Sequence, residues 1–227
     1  MLILAFDTSS KTASVAVLRD EDILYEVMIH TGLNHSETLL PAVEQACLQT
    51  KLRMSDFDLF SCTIGPGSFT GLRIGASTLK GFMLATGKPA AGVSSLAALA
   101  LNAEKSAKKI YAIMDAGRGQ VYMACFRYGD NGLLEQLGGE RVLNPADIEY
   151  DSDAIFVGDG AVKYAGVFTQ DLGKNAIPEL HQYCRAASVG RLGKEKYDRN
   201  ELLDAETFVP FYLRSADADK KKSLFEN

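Results

Sequence analysis

Leu2-Ile3-Leu4-Ala5-Phe6-Asp7-Thr8-Ser9-Ser10 is a short apolar run that ends on an aspartate and a polar turn. An unbroken apolar run bounded by turn chemistry reads as a strand buried on both faces. A second strand is expected at residues 14–18, and Arg19-Asp20-Glu21-Asp22 turns the chain into a third at 23–29. Leu39, Leu40, Val43, Ala46 and Cys47 then recur at the spacing of one buried helical face. Pro41 must lie near the first turn of that helix or bend it, because an interior proline loses a backbone hydrogen bond. Residues 58–64 form a further strand candidate, ending in Gly65-Pro66-Gly67-Ser68-Phe69-Thr70-Gly71. A helix over 70–86 stopped by Gly87-Lys88-Pro89, a short strand at 90–93 and a helix at 95–103 complete the first half.

From Ile110 the same plan returns. Ile110-Tyr111-Ala112-Ile113-Met114 ends on Asp115 and the turn Ala116-Gly117-Arg118-Gly119. Residues 121–128 are the second strand, and Gly129-Asp130-Asn131-Gly132 is a hairpin turn into a third near 133–137. Asn144-Pro145 fits a helix N-cap followed by proline at the first helical position. Residues 154–157 end in Gly158-Asp159-Gly160, as the earlier strand ends in Gly65-Pro66-Gly67. Each half therefore reads strand-strand-strand-helix-strand-helix. This order predicts an α/β protein of two duplicated lobes facing across a cleft, residues 1–104 and 105–227, with 104–109 as the crossing. The second lobe is reduced, and the last ~15 residues are either free or folded back on the first lobe.

This layout resembles the actin-like ATPase superfamily, whose lobes have the ribonuclease H-like plan. Within it, residues 3–10, Asn34-His35-Ser36-Glu37-Thr38-Leu39-Leu40-Pro41 and Gly65-Pro66-Gly67-Ser68-Phe69-Thr70-Gly71-Leu72-Arg73-Ile74-Gly75 are similar to the TsaB (YeaZ) family. Lys88-Pro89, Val93-Ser94-Ser95-Leu96, Asp115-Ala116 with Val121-Tyr122, and Pro210-Phe211-Tyr212-Leu213-Arg214 continue the match along nearly the whole chain. The long glycine motif is its specific part. The resemblance implies a cytoplasmic, non-catalytic accessory subunit in the biosynthesis of N6-threonylcarbamoyladenosine at tRNA position 37. It implies TsaD, the catalytic paralogue, as partner, TsaE through the TsaD-bound complex, and a homodimer when the partner is absent. Contact with tRNA is then indirect, and no cofactor is expected beyond weak nucleotide binding. The partner surface is expected on two first-lobe helices, with Leu39, Leu40 and Val43 on one and Gly71, Leu72, Gly75 and Leu79 on the other. Glycines inside a helix cost up to about 1 kcal/mol each against alanine, and close approach of a second helix is a compensating reason.

The residues argue against catalysis. Metal-dependent relatives use two histidines one helical turn apart, so that both rings reach one ion. His35 is followed at that spacing by Leu39, which cannot ligate, and His30 and His181 stand at no useful spacing. A surface or capping role is expected for His35, and no metal centre. There is no Gly-x-Ser-x-Gly turn, and Ser68 reads as a helix-capping residue. Asp7, Thr8, Ser9, Asp115, Gly158 and Gly160 are the cleft candidates. In the ATPases resembled, the first-hairpin carboxylate organises metal and water, yet a carboxylate at a strand end also caps turns. A vestigial structural role is preferred here to nucleotide binding. Gly65-Pro66-Gly67 opening a helix could cradle an anion, but no Gly-Lys-Ser/Thr follows as in a Walker loop.

Composition narrows the classes further. A net charge of −5 without a basic-aromatic stripe weakens an RNA-binding module, and Lys220-Lys221-Lys222 reads as a solvated tail. No apolar stretch is long enough to span a bilayer, and the N-terminus reads as a buried strand in place of a signal peptide. Cys47, Cys62, Cys125 and Cys184, without a CxxC pair, read as reduced structural thiols. The alternative is an ATP-dependent kinase or a metallopeptidase-like enzyme of the same superfamily. A kinase needs a larger second lobe than residues 161–227 leave room for.

Overall fold

The structure is a computed structural model that describes residues 1–167 and 182–214. Its first sheet is built around β1 (Leu2–Asp7), flanked by antiparallel β2 (Ala13–Arg19) and parallel β4 (Leu59–Gly65). With β3 (Asp22–Ile29) and β5 (Ala90–Ser94) outside, the order is β3-β2-β1-β4-β5. Leu4 faces Val17 on one side and Phe60 on the other, so the central strand is apolar on both faces, as its sequence demands. The alternation of strand side chains sends Leu4 and Phe6 to one face and Ile3 and Ala5 to the other.

Helices α1 (His35–Thr50) and α2 (Phe69–Thr86) cover the Leu4/Phe6 face. Leu39, Val43 and Ala46 from α1 and Leu79 and Met83 from α2 pack with Phe6, Val15, Val17 and Phe60. Truncating such a buried leucine to alanine costs about 2–5 kcal/mol. Pro41 sits inside α1, beyond its first turn, and the helix continues past it to Thr50. Ser68 caps α2, accepting a bond from the Gly71 amide at 3.3 Å, as expected of it. Gly87 ends α2 with φ +68°, a left-handed turn open to glycine.

The second sheet has the order β8-β7-β6-β9, from β6 (Ile110–Gly117), β7 (Gln120–Tyr128), β8 (Leu134–Leu143) and β9 (Ile155–Val157). Two elements differ from expectation. β8 runs on to Leu143 through an irregularity in its pairing with β7, where only 133–137 was expected to be extended. Asn144-Pro145 opens no α-helix but a single 3-10 turn, Pro145–Asp147, without a side-chain cap bond. Between β8 and β9 the second lobe thus has this turn where a helix was expected. A short α4 (Asp159–Lys163) follows β9.

The other face of the first sheet is covered by α3 (Ser95–Ala100) and by α5 (Ala186–Asp198), which belongs in sequence to the second half. This departs from the division at residue 104, since α5 packs on β1, β2, β4 and β5. Glu26 on β3 anchors its start, accepting from the Ala187 amide at 3.0 Å and pairing with Arg185. A carboxylate there also faces the positive end of the helix dipole. Gly190 and Gly193 let α5 press onto the sheet, because a Cβ at either would run into Leu18 or Ser61. One apolar cluster therefore joins both lobes, from Ile3, Ala5 and Leu59 through Leu96 and Val189 to Ala112, Met114 and Phe126.

Candidate functional site

The ends of β1 and β6, their hairpin turns and the two glycine turns meet at a cleft of about 850 Å³. Ser9, Ser10 and Lys11 line it from the first lobe, and Asp115, Gly117 and Asp159 from the second. Of the predicted cleft candidates, Ser9 and Asp115 line it, while Asp7, Thr8, Gly158 and Gly160 do not.

Asp7 is completely buried. Its Oδ1 accepts from the Ser9 amide at 3.1 Å, the Ser9 hydroxyl at 2.6 Å and the Thr63 hydroxyl at 2.6 Å. Its Oδ2 meets no donor among the described residues. Burial pushes the Asp7 carboxyl above the ordinary carboxylate value, against the bonds from Ser9 and Thr63 that pull it down. Thr8 is also buried, and its hydroxyl donates to the Gly71 carbonyl at 2.8 Å, tying β1 to α2. Beneath this turn lie Cys62 and Cys184, both buried, with thiols raised well above their usual value by burial. A thiol held in its protonated form is a poor nucleophile.

Asp115 is more open and differently engaged. Lys163 donates to its Oδ2 at 2.6 Å, while the Gly117 amide at 3.0 Å and the Tyr164 hydroxyl at 3.2 Å reach its Oδ1. Burial alone would raise this carboxyl, but the bond from Lys163, the Gly117 amide and Tyr164 outweigh it and hold it below the usual range. Asp159 accepts from the Asp115 amide at 3.1 Å, and its carboxyl is pushed up, chiefly by burial and further by the Asp115 charge. Lys163 and Tyr164 were not singled out in the sequence, where a lysine on a short helix carries no signal of its target.

The glycine turns serve backbone packing. Gly65-Pro66 is a cis peptide, and a Cβ at Gly67 would strike the Ser9 backbone. The Ser68 amide donates to the Ser9 carbonyl at 2.7 Å. At least one amide of the possible anion cradle is therefore used by the first hairpin. Gly158, at φ +109°, and Gly160 press in the same way on the backbone of residues 113–115. In both lobes the turn after the fourth strand leans on the end of the first.

The expected partner residues lie elsewhere than expected. Leu39, Val43 and Leu79 are buried against the lobe's own sheet, Leu72 is buried as well, and Gly71 and Gly75 face inward. A Cβ at Gly75 would stand 2.6 Å from the Thr8 hydroxyl and 3.1 Å from the Cys62 sulfur. These glycines do permit close approach, but to β1 and β4, not to a second protein. Of the seven residues named, only Leu40 is outward, at 54% exposure. The outward faces instead carry Leu48 on α1, at 65%, and Ser77, Gly81 and Leu84 on α2, with Leu84 at 76%. His35 has the bridging role of a structural histidine, its Nε2 lying 2.8 Å from the Ser10 carbonyl. His30 packs edge-on against Tyr183, and His181 lies outside the described residues, as does Lys220-Lys221-Lys222.

Comparison with known proteins follows this geometry. A family model described as TsaD: tRNA N6-adenosine threonylcarbamoyltransferase matches residues 30–222. The tRNA threonylcarbamoyladenosine biosynthesis protein TsaB of Bacillus subtilis is 35% identical, covering 97% of each chain. YeaZ from Pseudomonas aeruginosa superposes with a TM-score of 0.80 at 30% identity, covering 93% of this chain and 99% of that one. The activator of the 2-hydroxyisocaproyl-CoA dehydratase from Clostridium difficile, solved with bound ADPNP, superposes with a TM-score of 0.54 at 13% identity over 90% of this chain and 99% of that one. That last likeness concerns the fold alone, which is the duplicated actin-like, ribonuclease H-like architecture.

Proposed function

This chain belongs to the TsaB family of tRNA threonylcarbamoyladenosine biosynthesis proteins, and on that premise we propose that it is a non-catalytic subunit that binds and supports a TsaD-type transferase. The observation that carries the reading is that the carboxylates ending the two first strands are withheld from the cleft, Asp7 by complete burial and Asp115 by its ion pair with Lys163. Asp7 is buried beneath Ser9 and Thr63, and Asp115 is closed by Lys163. A carboxylate that organises a metal ion or activates a water must present an oxygen to it. The same withholding counts against the kinase and peptidase-like alternatives. The cleft is wide enough to keep a weak affinity for a nucleotide without turning it over.

The docking surface in this reading is the outward side of α1 and α2, where Leu40, Leu48 and Leu84 are exposed beside Ser77 and Gly81. A Cβ at Gly81 meets nothing within 4 Å, so the helix is thinnest there and another backbone can come close. The same face would pair two copies when the transferase is absent. TsaE joins through the transferase, and with a net charge of −5 this chain leaves most of the tRNA contact to its partners. The work is cytoplasmic in this reading; among the described residues no helix is long and apolar enough to cross a membrane.

Reconstitution tests it. Transfer of threonylcarbamoyl to tRNA by TsaD and TsaE, supplied with threonylcarbamoyl-adenylate, should fall to background when this chain is left out. Undiminished transfer without it would overturn the assignment.

A further inference from the structure

Pro210-Phe211-Tyr212-Leu213-Arg214 is a motif that neither catalysis nor docking has absorbed. Its residues form no helix or strand, yet they touch both lobes. On the first lobe, the Phe211 amide donates to the Ile64 carbonyl at 2.8 Å, at the end of β4. The Phe211 carbonyl lies over Gly65, where any Cβ would collide with it. The Tyr212 ring then packs on Phe69, with centroids 4.9 Å apart, and Phe69 is the first residue of α2. The Arg73 guanidinium covers the same Phe69 ring at 3.8 Å. On the second lobe, Arg214 donates to the Ala116 carbonyl at 2.9 Å and to the Gln120 side chain, bracketing the β6–β7 turn.

We propose that residues 210–214 are a latch that couples the β6–β7 turn of the second lobe to the start of α2, and so to the face on which the partner docks. Physical economy supports it. The β6–β7 turn holds three successive residues at positive φ, Gly117, Arg118 and Gly119, and it borders the cleft at Gly117. The Arg214 fork closes two bonds across it, and a planar guanidinium fixes direction as well as distance. From there the path to α2 is short and stiff, because both an aromatic pair with Tyr212 and the Arg73 cation over the ring hold Phe69. A change at the cleft that moves the turn must then either break the Arg214 bonds or pull on Tyr212 and Phe69. The latch gives the cleft a means to influence docking without catalysis. Its functional half rests on the docking face proposed above.

The test uses the full chain and two variants that cut the same contact from opposite ends, Arg214→Ala and Gln120→Ala. Amide hydrogen exchange is read in peptides covering residues 116–120 and the start of α2 at 69–76. The latch predicts that both variants speed exchange at least threefold in both regions, with β1 and β4 unchanged. Faster exchange in 116–120 with unchanged α2 would overturn the coupling, as would no change in either region. Gln120→Ala keeps the test decisive should Arg214→Ala be poorly folded. Affinity for TsaD is measured in parallel. Coupled exchange with unaltered affinity would overturn the influence of the latch on docking, lost coupling would overturn the latch itself, and neither result bears on the docking face, which substitution at Gly81 tests by itself.

Discussion

Lys163 Nζ stands 2.6 Å from Asp115 Oδ2, an ion pair made across the β6 end by the short helix that follows β9. It places a positive charge of the protein's own beside the carboxylate that reaches the cleft. The first lobe achieves a similar result by other means, hiding Asp7 beneath two hydroxyls.

Removing the lysine should reveal the pairing in a pH series. Asp115 is held below its ordinary value of 3.8, so its contribution is present above that pH and is lost as pH falls through the folded value. In Lys163→Met the carboxyl loses its cation, and burial is opposed only by the Gly117 amide and the Tyr164 hydroxyl. The variant should be less stable than the parent near neutral pH, with the gap closing in acid. Urea unfolding at a series of pH values measures it, and a gap that widens in acid would contradict the pairing.

For Asp7 the sign is opposite. Its carboxyl is raised above 3.8 by burial, so the folded state holds the proton more tightly than the unfolded chain. That contribution is complete below the unfolded value and is lost as pH rises through the folded one. Asp7→Asn carries no such charge and keeps an oxygen for Ser9 and Thr63. Its stability relative to the parent should therefore rise from acid to neutral pH in the same unfolding series. A relative fall would mean that the buried anion is better satisfied than its surroundings indicate.

ATP turnover by the purified chain should not exceed that of buffer. Robust turnover that vanishes in Asp115→Ala would show that the carboxylate is not withheld by Lys163 and would end the non-catalytic reading.

Two glycines of one helix should part company on substitution. Gly75→Leu must force a side chain against Thr8 and Cys62, and overpacking of that kind costs about 1–3 kcal/mol or more. Gly81→Leu meets open space and should melt close to the parent. It should nevertheless weaken TsaD binding at least tenfold, which corresponds to about 1.4 kcal/mol. Unchanged affinity for a folded Gly81→Leu protein would take this face out of the interface.

The element order, the duplication and the placing of Asp7 and Asp115 at the ends of β1 and β6 were legible because each depends on local signals. Apolar runs such as residues 2–6, terminal aspartates and glycine turns are written over a few neighbouring residues. The orientation of α2 was not. Its small residues recur on both sides, Gly71 and Gly75 inward and Ser77, Gly81 and Ala85 outward, and a residue without a side chain leaves no periodic trace. The α5 helix escaped for the same reason, since its buried face is made of Ala186, Ala187, Ser188, Gly190 and Gly193 around one Val189. Asn144-Pro145 carried a sound helix-start signal, but the turn that follows it is only three residues long. The Arg214 contacts join residues nearly a hundred positions apart, and no local pattern announces a partner at that distance.

The position of α5 also sets a schedule for synthesis. As the chain leaves the ribosome, β1 to β5 and α1 and α2 emerge early and can close one side of the first sheet. The other side, with Ile3, Ala5, Leu18 and Leu59, waits until residues 186–198 have emerged. For most of translation the nascent chain therefore shows a greasy half-finished sheet. Such exposed apolar surface invites aggregation and chaperone capture, and the risk lasts until α5 has emerged.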